Sequence, residues 1–370
     1  MTNRAEQLRP AAPITGSGAP SLFGMRPQDL LAHLLAEGVP ARIDQCRRLL
    51  AHVLADGNSD LDAIQRPLSR SFRRDVDRLT DRARLEVVER IEDPADGFVK
   101  YLLRSPDGAL TEAVRIPLEK PGSWSVCLSS QVGCAMQCTF CATGRLGLVR
   151  HLQPWEMVSA FLTVRDETEG RVTGAVFMGQ GEPLHNYDAV IQAARVLSAP
   201  CGGRINAKAI SISTVGLVPQ IRRYTAEGHK FRLIISLTSA IASRRATLLP
   251  VAGAWPLDEV VQAIREHAAA ARGRTTVAWV LLGGVNDGPD EVAALKERFA
   301  GMPLRFNIID VNDARPDGFR TATDAERTDF MSGVAALRIP MVRRYSGGRD
   351  RNAACGMLAA TRYETDAATT

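Results

Sequence analysis

The pattern that most restricts the possible folds of this chain begins after Ser123, where short apolar segments alternate with longer amphipathic ones. The longer stretches, such as PWEMVSAFLTVRDE and PLDEVVQAIREHAAAA, have the spacing of helices. This alternation predicts a parallel sheet with helices outside it, and six or seven units predict an α/β barrel, complete or partial. The predicted strands are SVCLSS (125–130), TGAVFM (173–178), KAISIS (208–213), FRLIIS (231–236), TTVAWVLL (275–282), LRFNII (304–309) and MVRRY (341–345).

The segment before Ser123 follows other patterns. Its first part is rich in Pro, Ala, Gly and Ser, which is typical of a disordered leader. Apolar residues then recur with a helical period to about Arg90, and two extended runs flank the turn sequence Ser-Pro-Asp-Gly at 105–108. The predicted organisation is a leader (1–22), a small N-terminal helical accessory domain (23–92), a β-hairpin linker (93–122), the barrel (123–360) and a tail (361–370).

Composition excludes several classes of protein. The sequence contains no run of 18 or more apolar residues, and its N-terminal stretch is too polar to be a signal peptide. We therefore expect a cytoplasmic protein with no membrane segment. In a reducing compartment, seven unevenly spaced cysteines are more typical of metal binding or catalysis than of a disulfide framework.

Basic residues are concentrated between residues 66 and 90, where eight arginines are partly offset by acids. The net charge of +5 permits binding to a polyanion without requiring it. One interpretation is a solvated helical face with local ion pairs. The other is a surface that binds RNA phosphates through Arg70, Arg73, Arg74, Arg78, Arg82 and Arg84.

Three of the cysteines, Cys134, Cys138 and Cys141, form a C-x3-C-x2-C motif directly after the first predicted barrel strand. Structural zinc normally takes four ligands in two pairs, and the sequence has no second pair. A [4Fe-4S] cluster held by three thiolates keeps one iron open for another ligand. The motif at this position is typical of radical S-adenosylmethionine (SAM) enzymes, in which the open iron binds SAM.

The second predicted strand ends in Gly-Gln-Gly-Glu-Pro at residues 179–183. By itself this is a common turn sequence. One strand after a cluster loop, it has the position of the SAM-binding glycine and glutamate motif of these enzymes, with Glu182 near the SAM amine.

The chain resembles the RlmN/Cfr family of radical SAM RNA methyltransferases from about residue 24 to residue 360. The resemblance implies a radical SAM partial (β/α)6 barrel and methylation of an adenine ring carbon, C2 or C8, in 23S rRNA and possibly tRNA. The matching segments, in the order of the family, are CLSSQVGCAMQCTFCATGRLGLVRHL, MGQGEPLHNYDAV, ISISTVGLVP, LIISL, VLLGGVNDG, NIIDVN and NAACGML.

The resemblance also implies a role for two further cysteines and a glutamate. Cys355 matches the residue that takes a methyl group from one SAM before a second SAM supplies the radical. Cys127 matches the residue that helps break the link between protein and RNA by forming a disulfide with the methyl-carrying cysteine. Glu112 matches a glutamate that accepts a proton. Taken alone, either cysteine would be interpreted as a small buried apolar residue.

The remaining implied contacts concern SAM and the partners. A flavodoxin-type reductase would supply electrons, and the enzyme would act as a monomer on RNA. The SAM contacts carried over from the family are Gly181, Glu182, Ser213, Ser236, Leu237, Thr238 and Asn312.

Several segments depart from the family pattern. The chain has Thr238-Ser239 where the family has His-Ala, Ala252 where it has Asn, and residues 309–313 in place of Ile-Pro-Trp-Asn-Pro. These departures leave two alternatives open. One is the same chemistry on a small-molecule or peptide acceptor, and the other is a non-enzymatic iron-sulfur or zinc protein that binds RNA.

Overall fold

The structure, a computed structural model, describes residues 18–358 except 66–67, 272, 314, 316, 345–346 and 349–350. The predicted leader (1–22) lies outside the described residues over 1–17, but at its end Leu22 is fully buried and its N–H donates to the Asp81 carbonyl at 2.9 Å. The predicted tail (361–370) lies outside the described residues. No helix in the part that is described is long and apolar enough to cross a membrane.

The described elements alternate between strands and helices as the sequence predicts. The strands are β1 Glu86–Glu92, β2 Val99–Arg104, β3 Leu110–Pro117, β4 Ser123–Leu128, β5 Gln131–Gly133, β6 Leu148–His151, β7 Arg171–Phe177, β8 Ile210–Thr214, β9 Arg232–Ser236, β10 Thr275–Leu281, β11 Leu304–Asp310 and β12 Met341–Arg344. The α-helices are α1 Pro27–Ala36, α2 Ile43–Leu50, α3 Arg70–Leu79, α4 Ala142–Arg145, α5 Pro154–Asp166, α6 Tyr187–Ser198, α7 Val218–Glu227, α8 Ala242–Leu248, α9 Leu257–Ala270, α10 Pro289–Phe299 and α11 Asp324–Ala336. Short 3-10 or π turns lie at Leu22–Gly24, Ala51–Ala55, Leu61–Ala63, Pro183–Asn186, Ala207–Ala209 and Pro250–Gly253.

Ten strands form one sheet in the order β1-β2-β3-β4-β7-β8-β9-β10-β11-β12. Within this sheet, the strands β4, β7, β8, β9, β10, β11 and β12 are parallel, and β1 to β3 extend the sheet beyond β4 as antiparallel neighbours. The short strands β5 and β6 form a separate antiparallel pair. Each of the seven predicted strand segments coincides with one of the parallel strands. The described sheet ends at β1 and β12 without closing, which confirms the predicted partial barrel.

The two faces of the sheet have different surroundings. On β10, Val277, Trp279 and Leu281 point outward into the main core that the sheet shares with the helices. Burial of such side chains contributes about 1.5–3 kcal/mol each to folding. Ala278 points the other way, into a small apolar cluster inside the barrel. The inner face is thus packed by small apolar clusters, around Ala278 and around Cys127, instead of by the main core.

The N-terminal region is helical only in part. In α3, Phe72, Val76 and Leu79 are buried at helical spacing, and the Ser69 hydroxyl caps the helix by accepting from the Phe72 N–H at 3.2 Å. The helical period predicted to about Arg90 is wrong for its last turns, because Glu86–Glu92 is a strand paired with β2. Its β-branched residues Val87, Val88 and Ile91 favour a strand at the sheet edge.

The predicted hairpin is formed by β2 and β3. It does not stop there, since β3 also pairs antiparallel with β4, the first parallel strand. The hairpin thus continues the barrel sheet, and this pairing sets its buried side chains beside those of β4.

Candidate active site

The loop of residues 133–144, called here the cysteine loop, is held in place by two glycines. Gly133 has φ +73°, and a Cβ there would overlap the Gly147 carbonyl, which accepts a hydrogen bond from the Cys134 N–H at 2.7 Å. A Cβ on Gly144 would lie 2.9 Å from the backbone nitrogen of Cys138. The glycines therefore allow the chain to pack closely around the three thiols.

The thiols of Cys134, Cys138 and Cys141 all line one cleft of about 890 Å³ at the carboxyl ends of the strands, called here the SAM cleft. Burial raises the pKa of the Cys134 thiol to about 12 and holds the pKa of Cys138 well above its usual value. The backbone N–H of Met136 donates to the Cys134 sulfur at 3.5 Å. Buried thiols with these surroundings ionise only beside a strong positive charge, which iron provides.

The same residues can be tested against other metal sites. Within the described ranges, no group of three or more His, Cys, Asp or Glu converges closely enough to hold a single metal ion. A cluster needs a different arrangement, because each thiolate binds a separate iron at a corner. The donor set of three thiols around an open cleft fits a [4Fe-4S] cluster.

Gly181 and Glu182 lie beside the thiols at the end of β7. Gly181 has φ +98°, and a Cβ there would lie 2.6 Å from the Gln131 side chain. The Glu182 carboxylate accepts backbone N–H groups of Leu184 and Val215 at 2.9 and 2.8 Å. Burial nevertheless raises the Glu182 pKa to about 7. A cationic amine in the cleft would favour its charged form.

Other predicted SAM contacts divide into two groups. Ser213, Ser236 and Asn312 line the SAM cleft, and the hydroxyls of the two serines lie 3.3 Å apart. Leu237 and Thr238 are fully buried and do not line it. Thr238 instead shapes the strand end.

The backbone at Thr238 has φ +61°, and its carbonyl accepts the Asn286 side-chain amide at 2.6 Å. Such a conformation is uncommon for a residue with a Cβ. The strained backbone and this hydrogen bond fix the end of β9, and Thr238 itself does not reach the SAM cleft.

Cys355 lies on the loop that follows β12, and its side chain lines the SAM cleft. The Ala142 N–H donates to the Gly356 carbonyl at 2.7 Å, which ties this loop to the cysteine loop. The Asn312 side-chain amide donates to the Cys355 carbonyl at 3.3 Å. Gly356 makes the turn with φ +85°. These bonds hold the Cys355 side chain at the rim of the cleft.

A second cleft of about 610 Å³, called here the thiol cleft, is lined by both Cys127 and Cys355. Both residues are reduced thiols rather than halves of a disulfide. Burial, together with the nearby Cys355, raises the pKa of Cys127 far above its usual value. Because Cys355 lines both clefts, it lies where groups bound in the two clefts could meet.

Glu112 is buried on β3 but lines neither cleft. Its carboxylate lies 3.4 Å from the Lys100 ammonium and accepts the Gln180 side-chain amide at 3.2 Å. The Ser129 hydroxyl donates to its backbone carbonyl at 2.6 Å. Glu112 thus contacts the Gln180 side chain, and the next residue, Gly181, lines the SAM cleft.

Two features near the cleft were missed by sequence reasoning. The Gln131 side chain accepts the Glu182 N–H at 2.8 Å and has its amide nitrogen 3.0 and 3.2 Å from the Nδ1 atoms of His151 and His185. Arg245 is buried beside the SAM cleft and donates to the Val215 carbonyl at 2.5 Å. No sequence signal identifies the first group, because its members come from three separate segments.

The predicted arginine surface is largely engaged in ion pairs. Arg78 lies 3.6 Å from Asp75, Arg82 lies 2.5 Å from Asp77, and Arg84 lies 2.7 Å from Asp166, while Arg73 pairs with Asp62. In the described residues, Arg70 and Arg74 have no such pair. The structure favours the interpretation of a solvated face with local ion pairs.

Comparisons with known proteins point in one direction. The radical SAM superfamily model matches residues 128–296. A probable RNA methyltransferase of Myxococcus xanthus (strain DK1622) is 44% identical over 322 residues, which cover 86% of this chain and 88% of that protein. A dual-specificity RNA methyltransferase RlmN of Syntrophobacter fumaroxidans is 36% identical over 326 residues, covering 88% of this chain and 94% of that protein. A solved radical SAM methyltransferase from Sphaerobacter thermophilus superimposes with a TM-score of 0.83 at 32% identity, covering 92% and 99% of the two chains.

Proposed function

The chain belongs to the RlmN family of radical SAM RNA methyltransferases, and on that premise we propose that it methylates a ring carbon of adenine, C2, in 23S rRNA and in tRNA. The observation that carries this proposal is the pair of clefts that meet at Cys355. One cleft contains the three cluster thiols and the other contains Cys127.

Residues of the SAM cleft hold the two cofactors. Cys134, Cys138 and Cys141 bind the [4Fe-4S] cluster, while Gly181, Glu182, Ser213, Ser236 and Asn312 surround SAM. When bound, the cluster and SAM supply a 5′-deoxyadenosyl radical, which can activate a carbon that has no acidic proton. Leu237 and Thr238 support this surface from behind.

The chain contributes Cys355 as a carrier of the methyl group. Its sulfur takes a methyl group from a first SAM, with S-adenosylhomocysteine as the leaving group. After transfer of one hydrogen atom from this methyl group to the 5′-deoxyadenosyl radical, the methyl carbon would bond to the adenine ring carbon. The adduct would then lose the ring proton to a base and one electron to the oxidised cluster, which would leave RNA linked to Cys355 through a thioether. We assign the role of base to Glu112, whose carboxylate lies behind the Gln180 side chain.

Cys127 then breaks the link. Attack of its thiolate on the Cys355 sulfur forms a disulfide, and the electron pair of the broken sulfur–carbon bond goes to the carbon, which gains a proton. Two electrons from a cellular thiol reductant restore both thiols, and a reductase or flavodoxin-type donor supplies the electron that reduces the cluster. The opening of both cysteines onto one cleft supports this step. We place the enzyme in the cytoplasm because the step needs reduced thiols, and we propose that it acts as a monomer.

The test is to map modified adenines in rRNA and tRNA by mass spectrometry in a deletion strain and in the same strain complemented with the gene. We expect methyladenine at one or a few sites that disappears on deletion and returns on complementation. An unchanged RNA pattern, together with SAM cleavage by the purified protein, would instead support a small-molecule or peptide acceptor.

The roles of Cys355 and Cys127 can be distinguished, because replacing each cysteine should stop the reaction at a different step. Cys355→Ala cannot receive the methyl group, so it should contain cluster iron and make no product. Cys127→Ala should attack RNA without releasing it, and leave a nuclease-sensitive covalent adduct on a denaturing gel. The double variant is the control and should show no adduct. Normal turnover by Cys127→Ala would contradict the proposed roles.

A further inference from the structure

We propose that the inner face of the barrel binds the phosphodiester backbone of the substrate RNA through Arg232, Arg305 and Arg344. This inference rests on the proposed function, because it names the surface that guides the RNA strand toward Cys355. It gives the role of phosphate binding to residues that are scattered along the sequence instead of to the arginine-rich segment at 66–90.

Strand register places the three arginines on one face. Thr276 of β10 pairs with Ile234 of β9 and with Arg305 of β11, so these three side chains point to the same side. Ile234 belongs to the apolar cluster inside the barrel, which makes that side the inner one. Arg232 lies two residues before Ile234 and therefore also points inward.

Strand register also places Arg344 of β12 on the inner face. Arg344 follows Arg343, which is level with Ile308, and Arg344 itself pairs with Ile309. Ile308 belongs to the outer core and Ile309 to the inner cluster. Arg344 accordingly lines the thiol cleft together with Cys127 and Cys355.

The charge around these arginines is one-sided. The inward-facing positions of the parallel strands, from β4 to β12, carry no aspartate or glutamate. No ion pair is found for Arg232, Arg305 or Arg344 within the described residues, and all three are exposed. Arg343, on the outer side of the same strand, pairs with Asp310 at 2.8 Å. On the parallel strands, the inner face thus carries no acid, and the inward-facing acid of β3, Glu112, is paired with Lys100.

The three positive charges also act on one another. Although part of the Arg232 side chain is exposed, partial loss of hydration lowers its pKa, and the nearby Arg305 and Arg344 lower it further. Like charges held together without acids destabilise the free protein and attract an anion. Guanidinium groups bind phosphate oxygens in pairs, with a fixed geometry that a single lysine ammonium lacks.

A polyanion fits this surface better than an isolated anion does. Arg232 and Arg305 are near the amino ends of their strands, while Arg344 lies at the thiol cleft near the carboxyl ends. The arginines are therefore spread along the depth of the barrel, which suits successive phosphates of a strand. A nucleotide held at Arg344 would lie beside the two catalytic thiols.

The experiment measures binding of a fluorescent, single-stranded oligo(A) RNA to the iron-loaded enzyme as a function of salt. Each Arg→Gln change at 232, 305 or 344 should reduce the slope of log affinity against log salt by about 0.7, and affinity at 0.1 M salt should fall about fivefold. Arg305→Lys keeps the charge and should keep the slope. The matched control is Arg222→Gln, which lies on the outer surface of α7 and pairs with Glu266 at 2.8 Å; it should bind as the wild type does.

Iron content and the unfolding midpoint identify any variant that fails to fold. Arg305→Lys changes the side chain but keeps its charge, so it separates loss of charge from loss of folding at that position. Wild-type affinity and slope in a folded triple Arg→Gln variant would overturn the inference, even if the wild-type enzyme methylates RNA. An RNA methylation pattern that deletion of the gene leaves unchanged in the mapping experiment would reject the proposed function instead. The two failures are therefore distinguishable.

Discussion

Helix α3 and the inner face of the barrel both carry several arginines, but they differ in what surrounds those arginines. Along α3 and the segment after it, Arg73, Arg78, Arg82 and Arg84 each have a carboxylate partner. On the inner face, strand register brings together three arginines and no acid. The number of arginines in a segment is therefore a weaker guide to phosphate binding than the acids that fold against them.

The largest expected difference between the two regions concerns cysteine. Cys46 in α2 and Cys134 in the barrel are both buried, and burial raises the pKa of both, to about 11 and about 12. Cys134→Ala should abolish cluster binding and SAM cleavage. Cys46→Ala should keep both and lower the free energy of unfolding by about 1 kcal/mol, since it loses only packing.

Iron and sulfide analysis, 5′-deoxyadenosine formation and urea unfolding measure these effects. A Cys46→Ala protein without iron would show that burial alone does not distinguish a structural cysteine from a ligand.

The next effect compares a buried ion pair with an exposed one. Lys100 and Glu112 have side chains only 6% and 4% exposed, and their charged atoms lie 3.4 Å apart. Lys100→Met leaves a buried carboxylate without its ammonium, so the free energy of unfolding should fall by about 3–5 kcal/mol. Arg82→Gln, which breaks the partly exposed pair with Asp77 on α3, should cost at most about 1 kcal/mol.

Urea unfolding of both variants and of Lys100→Met/Glu112→Leu tests this contrast. The double variant should recover much of the lost stability, because it removes the isolated charge. Equal losses in Lys100→Met and in the double variant would indicate that Lys100 contributes packing instead of charge.

A smaller effect concerns pH. Burial and the nearby His151 lower the pKa of His185 from 6.5 to about 4. The unfolded chain then binds the proton more tightly than the folded chain, so this stability is present above pH 6.5 and is lost as the pH falls toward 4. Allowing for partial solvent exposure, the loss should be roughly 1–2 kcal/mol.

The measurement is urea unfolding at several pH values for the wild type and His185→Leu. The variant should lose less stability than the wild type over the same pH range. Identical pH profiles would mean that the imidazole near Gln131 stays hydrated in the folded protein.

The smallest expected effect is on RNA binding by α3. Arg78→Gln and Arg82→Gln remove charges that already have carboxylate partners, so the salt dependence of RNA binding should stay within experimental error of the wild type. The oligo(A) titration used for the inner face measures it. A reduction of about 0.7 in the slope for either variant would reverse the comparison between the two regions.

Much of the fold could be predicted from local patterns. The parallel strands were recognisable because each is a short apolar run, and the cysteine loop because its three cysteines lie within eight consecutive residues. The strand at Glu86–Glu92 was missed, since its pairing with β2 outweighs a weak helical period. The sequence also could not show that Leu237 and Thr238 are buried away from the SAM cleft, because this depends on the backbone conformation of Thr238 after β9.

The sequence by itself determined the order of strands and helices, the three thiols of the cysteine loop and the family. These features are encoded by neighbouring residues, so their spacing can be recognised in the sequence without the fold. Only the tertiary structure decided that Cys127 and Cys355 open onto one cleft, that the arginines near α3 have carboxylate partners, and that Arg232, Arg305 and Arg344 face the same interior. The reason is physical: charge and reactivity depend on which groups are close in space, and the register of distant strands sets those distances.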